Sequence, residues 1–203
     1  MLLIKNGLIH NAVDREPFIA DILTEDGKIV KIENDILCDG AEVFDATGLS
    51  IYPGFVEAHC HTGLDGHGIG YEGADYNEMG DIVACHLRAI DAIEPRDEML
   101  AEARKAGVTT LCAGPGSANV LGGTFAAYKP VGNRIDKMVI KPEVAMKCAF
   151  GENPKRCYGQ GLKKSPTTRM ATAALLRELL FRARNYQPDQ DAGKEPAIDM
   201  QLD

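Results

Sequence analysis

Apolar and polar residues alternate along the first fifty positions, and the pattern changes after Pro53. "LLIKNGLIH" predicts a strand, an Asn6-Gly7 turn and a second strand. "FIADILTEDGKIVKIEN" predicts a hairpin, because two alternating runs meet at Asp26-Gly27, a dipeptide suited to a type I′ turn. "AEVFDATGLSIYPG" adds a further strand and turn. These segments predict a small β module over residues 1–52.

Beyond Pro53 strand patterns alternate with helix patterns. "GFVEAHCH" is a mostly apolar strand, followed by the Gly-rich loop "TGLDGHGIGYEGADYNEMGD". "VACHLRAIDAI" and "RDEMLAEARKAG" predict helices, the second closed by Gly107 as its C′ residue. "VTTLCAGPG" predicts a buried strand, "GSANVLGGTFAAYKPVGN" a long polar-glycine loop, and "VAMKCAFGENP" a third strand running into a loop. "SPTTRMATAALLRELLFRARNY" predicts the clearest helix, with Ser165 as N-cap, Pro166 at the first helical position, and Leu175, Leu176, Leu179 and Leu180 on its apolar side. Such alternation is the signature of βα units and a parallel sheet. Three units are visible over residues 53–186, whereas a closed (β/α)8 barrel needs eight strands and about 250 residues. Residues 187–203, polar and rich in Pro and Gly, predict a tail or linker.

Composition narrows the function classes. Among 203 residues, 22 Lys+Arg against 30 Asp+Glu give a net charge of −8. That balance argues against nucleic acid and anionic membrane as partners, since both require basic patches. No apolar run reaches the length of a membrane span, and the first residues lack a signal-peptide pattern. The six cysteines show no CxxC and no paired spacing. They read as buried free thiols of a cytoplasmic protein.

The candidate chemistry lies in "GFVEAHCHTG", residues 54–63. Side chains at i and i+2 of a strand point the same way, about 6–7 Å apart along it. His59 and His61 can therefore converge on one ion at about 2.0–2.1 Å from each ring. Cys60, between them, points to the opposite face. The pair falls at the C-terminal end of a strand in a βα pattern, where such sheets place their chemistry. A solvent-facing pair in a loop is the plainer alternative.

"IYPGFVEAHCHTG" resembles the first barrel strand of the amidohydrolase superfamily of metal-dependent hydrolases, whose pattern is P-G-[FL]-[IV]-D-x-H-x-H. The module opening with "LLIKNG" and "DILTEDGKIVKI" precedes it in the family's order. Glu57 stands where the family usually has Asp, keeping the charge. "AGVTT", "GPGSANVLGG" and "FGENPKR" are similar to the imidazolonepropionase-like or general amidohydrolase branch. The resemblance implies a partial (β/α)8 TIM-type barrel behind a module that forms part of a composite β-sandwich. It also implies one or two Zn²⁺ ions, or another divalent metal, activating water for attack on an amide or cyclic-amide C–N carbon.

Further ligands are implied only by that resemblance. A bridging carboxylate, either a Glu or a carboxylated Lys, lies at the end of the third or fourth strand. Glu152 matches the Glu version, as in N-acetylglucosamine-6-phosphate deacetylases, and Lys147 is the second choice. A loop carboxylate or helix cap is the ordinary alternative for Glu152. Lys155 and Arg156 are candidate contacts for an anionic substrate. His67, in the Gly-rich loop, and Ser117 and Asn119, in "GPGSANVLGG", are candidate substrate contacts, while His86 reads as structural. The family's two further histidines and its Asp base are absent: no histidine follows Glu152.

The sequence thus points to the N-terminal part of a hydrolase acting on non-peptide C–N bonds, with an incomplete site. Two other readings stay open. One is a non-catalytic metal-binding or scaffold protein. The other is a subunit completed in trans by a chain carrying the remaining strands. An unpaired third strand predicts self-association or binding to such a chain.

Overall fold

The computed structural model describes residues 1–191 and 198–202, and residues 192–197 of the expected tail lie outside the described set. It contains two compact units, Met1–Gly54 and Phe55–Asp203.

The first unit is a five-stranded sheet with β1 (Leu2–Ile9), β2 (Phe18–Glu25), β3 (Lys28–Glu33), β4 (Glu42–Asp45) and β5 (Ser50–Ile51). The order is β3-β2-β1-β4, with β5 also pairing β1. Asp26 and Gly27 both take positive φ, 49° and 74°. This is the type I′ geometry expected for the β2–β3 hairpin. Asn6-Gly7 is a bulge inside one continuous strand, not a turn between two. The β1–β2 register slips between Ile4 and Gly7, and Asn6 sits at φ 61°. The extra residue is held by the Asn6 N–H, which donates to Asp21 Oδ1 at 2.9 Å. Ile9, Ala20 and Ile22 form this unit's core.

The second unit carries β6 (Phe55–Cys60), β7 (Val108–Ala113), β8 (Leu121–Tyr128) and β9 (Val139–Cys148), in the order β6-β7-β8-β9. Its helices are α1 (Glu98–Lys105), α2 (Ile135–Met138), α3 (Glu152–Pro154) and α4 (Arg169–Asp191). The architecture is mixed α/β, and it differs from the expected run of βα units. β6 and β7 are parallel, but β8 lies antiparallel to both β7 and β9.

The expected polar-glycine loop contains β8. The expected helix "VACHLRAIDAI" is extended chain and turns, with one 3₁₀ turn at Ala89–Asp91. Both departures have one cause. The Ala84 N–H donates to the Leu121 carbonyl at 2.8 Å, and the Thr124 N–H to the Leu87 carbonyl at 2.8 Å. Backbone groups that a helix would use internally are taken by β8. Gly123 makes the approach possible, since a Cβ there would lie 2.4 Å from the Leu87 oxygen.

α1 follows the sequence closely. Asp97 caps it by accepting the Met99 N–H, and Gly107, at φ 85°, ends it as a left-handed C′ residue. The cap of α4 moves from Ser165 to Thr168, whose Oγ1 accepts the Ala171 N–H at 3.1 Å. α4 runs to Asp191, five residues into the segment expected as tail. It buries Thr172, Leu179 and Tyr186 and leaves Leu180 exposed. The core beneath the sheet joins Leu64, Ile93, Leu100, Leu111, Ala126 and Tyr128.

Candidate active site

His59 and His61 sit at the end of β6, an edge strand, with ring centroids 5.6 Å apart and planes at 79°. Rings at this separation are close enough for one nitrogen of each to reach a common ion at about 2.0–2.1 Å. His61 Nδ1 lies 2.7 Å from the Gly114 carbonyl at the end of β7. A carbonyl can only accept, so Nδ1 carries a proton, and in the neutral ring Nε2 is the nitrogen with the free lone pair. The opposite edge of the sheet supplies the neighbour. Lys147 Nζ, from β9, is 3.5 Å from His59 Nε2. Both side chains lean over the Phe125 ring of β8, with centroid distances of 5.1 Å for His59 and 6.0 Å for the lysine nitrogen. Tyr76 stacks on His61 at 5.7 Å.

Lys147 is 9% exposed, and among the described residues no carboxylate pairs with it within 4.0 Å. Burial pushes its pKa down, enriching the neutral amine. His59 is also held below its ordinary value, first by loss of solvent around the ring, then by the charges of Lys147 and His61, with Glu57 pulling weakly the other way. Imidazoles in their neutral form are metal ligands, so His59 and His61 suit a divalent cation, and Lys147 can join them only once it has lost its proton.

The remaining sequence candidates divide. His67 lines a cavity of about 430 Å³ together with His61, Thr62 and Asp65, so the structure brings it near one of the two histidines. Glu152 is not there. It opens α3, is exposed, and accepts from Lys155 Nζ at 3.2 Å. Glu152, Lys155 and Arg156 line a different cavity of about 470 Å³ with Gln160 and Thr167. Among the described residues no three His, Cys, Asp or Glu side chains form a metal-holding group.

Asn119 departs furthest from its expected role. It is fully buried, and its Nδ2 donates to the carbonyls of Glu78 and Asp81, each at 2.7 Å, and to Tyr158 Oη at 3.1 Å. It braces the 78–81 segment. Ser117 is half-buried beside it.

The sequence reading missed Phe125 and Tyr128, because the Gly122-Gly123 pair made β8 look like a loop. It ranked Lys147 below Glu152, yet Lys147 is the one that contacts His59, while Glu152 pairs with Lys155. The only signal available was strand alternation in "VAMKCAF", which puts Lys147 and Ala145 on one face.

The chain is a mixed α/β protein whose candidate site gathers two histidines and a buried lysine at the strand ends. Solved structures place it more closely. Over 100% of its length the chain superimposes on an amidohydrolase from Thermotoga maritima MSB8, with a TM-score of 0.93 and 37% identity, covering 54% of that chain. The chain belongs to the amidohydrolase family. It is 31% identical over 189 residues to amidohydrolase tasK of Hapsidospora irregularis, spanning 86% of this chain and 19% of the relative. It is 48% identical over 61 residues to a dihydroorotase of Streptococcus pneumoniae, spanning 30% of this chain and 14% of that enzyme. The chain therefore spans about half of the solved amidohydrolase and less than a fifth of these curated relatives. No family model matches it.

Proposed function

We propose that this chain is the N-terminal part of a metal-dependent hydrolase of non-peptide C–N bonds, amides or cyclic amides. In this reading β6 and β7 begin a (β/α)8-type barrel, and the first unit contributes to a composite β-sandwich. One observation carries it. His59, His61 and Lys147 converge at the strand ends, in a chain 37% identical along its whole length to a solved amidohydrolase.

A divalent cation such as Zn²⁺ bound there would supply Lewis acidity at the scissile carbonyl. His61 would offer Nε2, since Gly114 fixes the proton on Nδ1, and His59 would offer the Nε2 that faces Lys147. Proximity favours Lys147 over Glu152 as the third group. Its neutral amine can add CO2, forming an N–C bond and losing one proton, to give a carbamate. His67, in the cavity shared with His61, would face the substrate. Ser117 keeps that proposal with less support, and Asn119, Lys155 and Arg156 have other partners. Six free thiols and an acidic balance fit a cytoplasmic setting. Among the described residues no helix is long and apolar enough to cross a membrane.

The test is zinc content after purification without added metal, compared with the His59→Ala/His61→Ala double variant. Zinc that depends on the pair supports the reading, and equal zinc in both refutes it.

A second reading concerns partners. Phe55 and Val56 on edge strand β6 are 57% and 65% exposed, and Met146 on edge strand β9 is 42% exposed. Apolar edges of this kind recruit other strands. Self-association, or a complementary chain bearing further strands, would cover them. Light scattering on a gel-filtered sample tests this, and a clean monomer argues against it.

A further inference from the structure

The segment just after the histidine pair is gripped from several directions. The Tyr128 hydroxyl, on β8, donates to the Thr62 carbonyl at 2.8 Å. The Gly63 N–H donates to Asp97 Oδ2 at 3.1 Å. The Gly63 carbonyl accepts the Glu94 N–H at 2.8 Å. Asp97 Oδ1 accepts the Met99 N–H at 2.9 Å, so one carboxylate ties the segment to the start of α1.

These anchors are polar groups placed where polar groups are costly. Tyr128 is fully buried and Asp97 is 8% exposed. Such groups are retained only with hydrogen-bond partners. The ring of Tyr128 packs with Leu64, Ile93 and Leu111, a role that Phe would fill equally well. What Phe could not do is hold the Thr62 carbonyl. Asp97 likewise has capping work that Asn could do, but Asn cannot accept from both Met99 and Gly63 through two oxygens.

We propose that Tyr128 and Asp97 are positioning residues for His61. They fix the peptide planes of residues 62 and 63, so that the His61 ring keeps its line to the Gly114 carbonyl and presents Nε2. The proposal rests on the reading of His59 and His61 as metal ligands. Without the Tyr128 hydroxyl the Thr62 carbonyl must turn to find another donor. The adjoining peptide turns with it, and the ring loses its fixed tautomer.

The experiment uses the full chain, Tyr128→Phe, Asp97→Asn, and Tyr158→Phe as a matched control. Tyr158 is also a fully buried tyrosine donating to backbone carbonyls, those of Glu78 and Asp81. Two quantities are read: the ¹⁵N ring-nitrogen signals of His61 without metal, and zinc affinity by chelator competition. In the wild type His61 is expected in one tautomer, protonated on Nδ1. Tyr128→Phe and Asp97→Asn should each mix the tautomers and weaken zinc binding roughly 10- to 100-fold, the usual effect of losing an outer-shell partner. Tyr158→Phe should change neither.

Unchanged tautomer and affinity in both Tyr128→Phe and Asp97→Asn would overturn the proposal, and so would an equal loss in Tyr158→Phe. If the wild type holds no zinc through its histidines while Tyr128→Phe still mixes the tautomers, the metal reading fails and the positioning role stands. If one variant does not fold, the other reaches the same segment from the opposite side.

Discussion

Gly114→Ala probes the tightest contact under the site. A Cβ at this position would lie 2.3, 2.4 and 2.7 Å from Cγ, Cδ2 and Cδ1 of Phe125. Carbon atoms rest at about 3.5–4.0 Å, so the ring would have to retreat by on the order of 1 Å or more. It has little room, being 4% exposed. Overpacking a filled core in this way typically costs about 1–3 kcal/mol. The ring is also the floor under His59 and Lys147, so its displacement moves both. The Gly114 carbonyl, which accepts the hydrogen bond from His61 Nδ1, moves with the backbone. We therefore expect Gly114→Ala to lower the urea midpoint and to weaken zinc retention together. Phe125→Leu in the same background should relieve the clash. The double variant should be more stable than the sum of the single losses predicts, by about 0.5–3 kcal/mol of coupling. A Gly114→Ala stability within about 0.5 kcal/mol of wild type, or strict additivity with Phe125→Leu, would refute the packing argument.

Two further outcomes concern groups away from the histidines. Asp21 accepts from the Asn6 N–H on one oxygen and the Ile36 N–H on the other. Burial opposes its charge, and these N–H groups with Lys5 outweigh that, leaving the carboxyl below 3.8. A depressed carboxyl contributes stability above its ordinary pKa and loses it as pH falls through the folded value. Asp21→Asn should therefore cost about 1–3 kcal/mol at neutral pH, with the gap closing in acid. Urea midpoints at both pH values check this, and a gap that widens in acid would be the wrong sign. Asn119→Ala should destabilise by about 1–3 kcal/mol, because it empties a fully buried position and leaves the carbonyls of Glu78 and Asp81 to share the single Tyr158 hydroxyl proton. Zinc affinity measured on the folded fraction should not change, and a large loss would return Asn119 to the site.

The elements most legible in the sequence were those set by local chemistry. The I′ hairpin followed from Asp26-Gly27, and the end of α1 from Gly107. The histidine pair at a strand end was legible because strand periodicity puts alternate side chains together. What escaped was set by distant backbone. Residues 83–88 carry a helical pattern, yet the Ala84 N–H and the Leu87 carbonyl pair with β8. Asn6-Gly7 has turn chemistry, yet the Asp21 carboxylate turns it into a bulge. Glu152 sits one short turn past a strand, where family logic puts a ligand, but Lys155 three residues on captures its charge locally. Lys147 reaches His59 from the far edge of a four-stranded sheet, a contact no window along the chain contains.

The choice between Lys147 and Glu152 can be decided by charge. As an ammonium 3.5 Å from His59 Nε2, Lys147 repels any cation bound there. As a carbamate it attracts one, so CO2 addition swings the local charge from +1 to −1. Unit charges 4 Å apart interact by roughly 4 kcal/mol at an effective dielectric of about 20. The lysine is nearly buried, so solvent screens only part of this. Even a third of it corresponds to about ten-fold in affinity. Zinc affinity should therefore rise at least about ten-fold when bicarbonate is added to a CO2-depleted sample. Lys147→Met should abolish that dependence, since it keeps the length of the stem but has no amine to modify. Glu152 would have to leave Lys155 and the start of α3 to reach His59, so Glu152→Gln should leave zinc binding and its bicarbonate dependence intact. Isothermal titration with and without bicarbonate separates the two. Zinc binding that is lost in Glu152→Gln and indifferent to bicarbonate in the wild type would reverse the assignment.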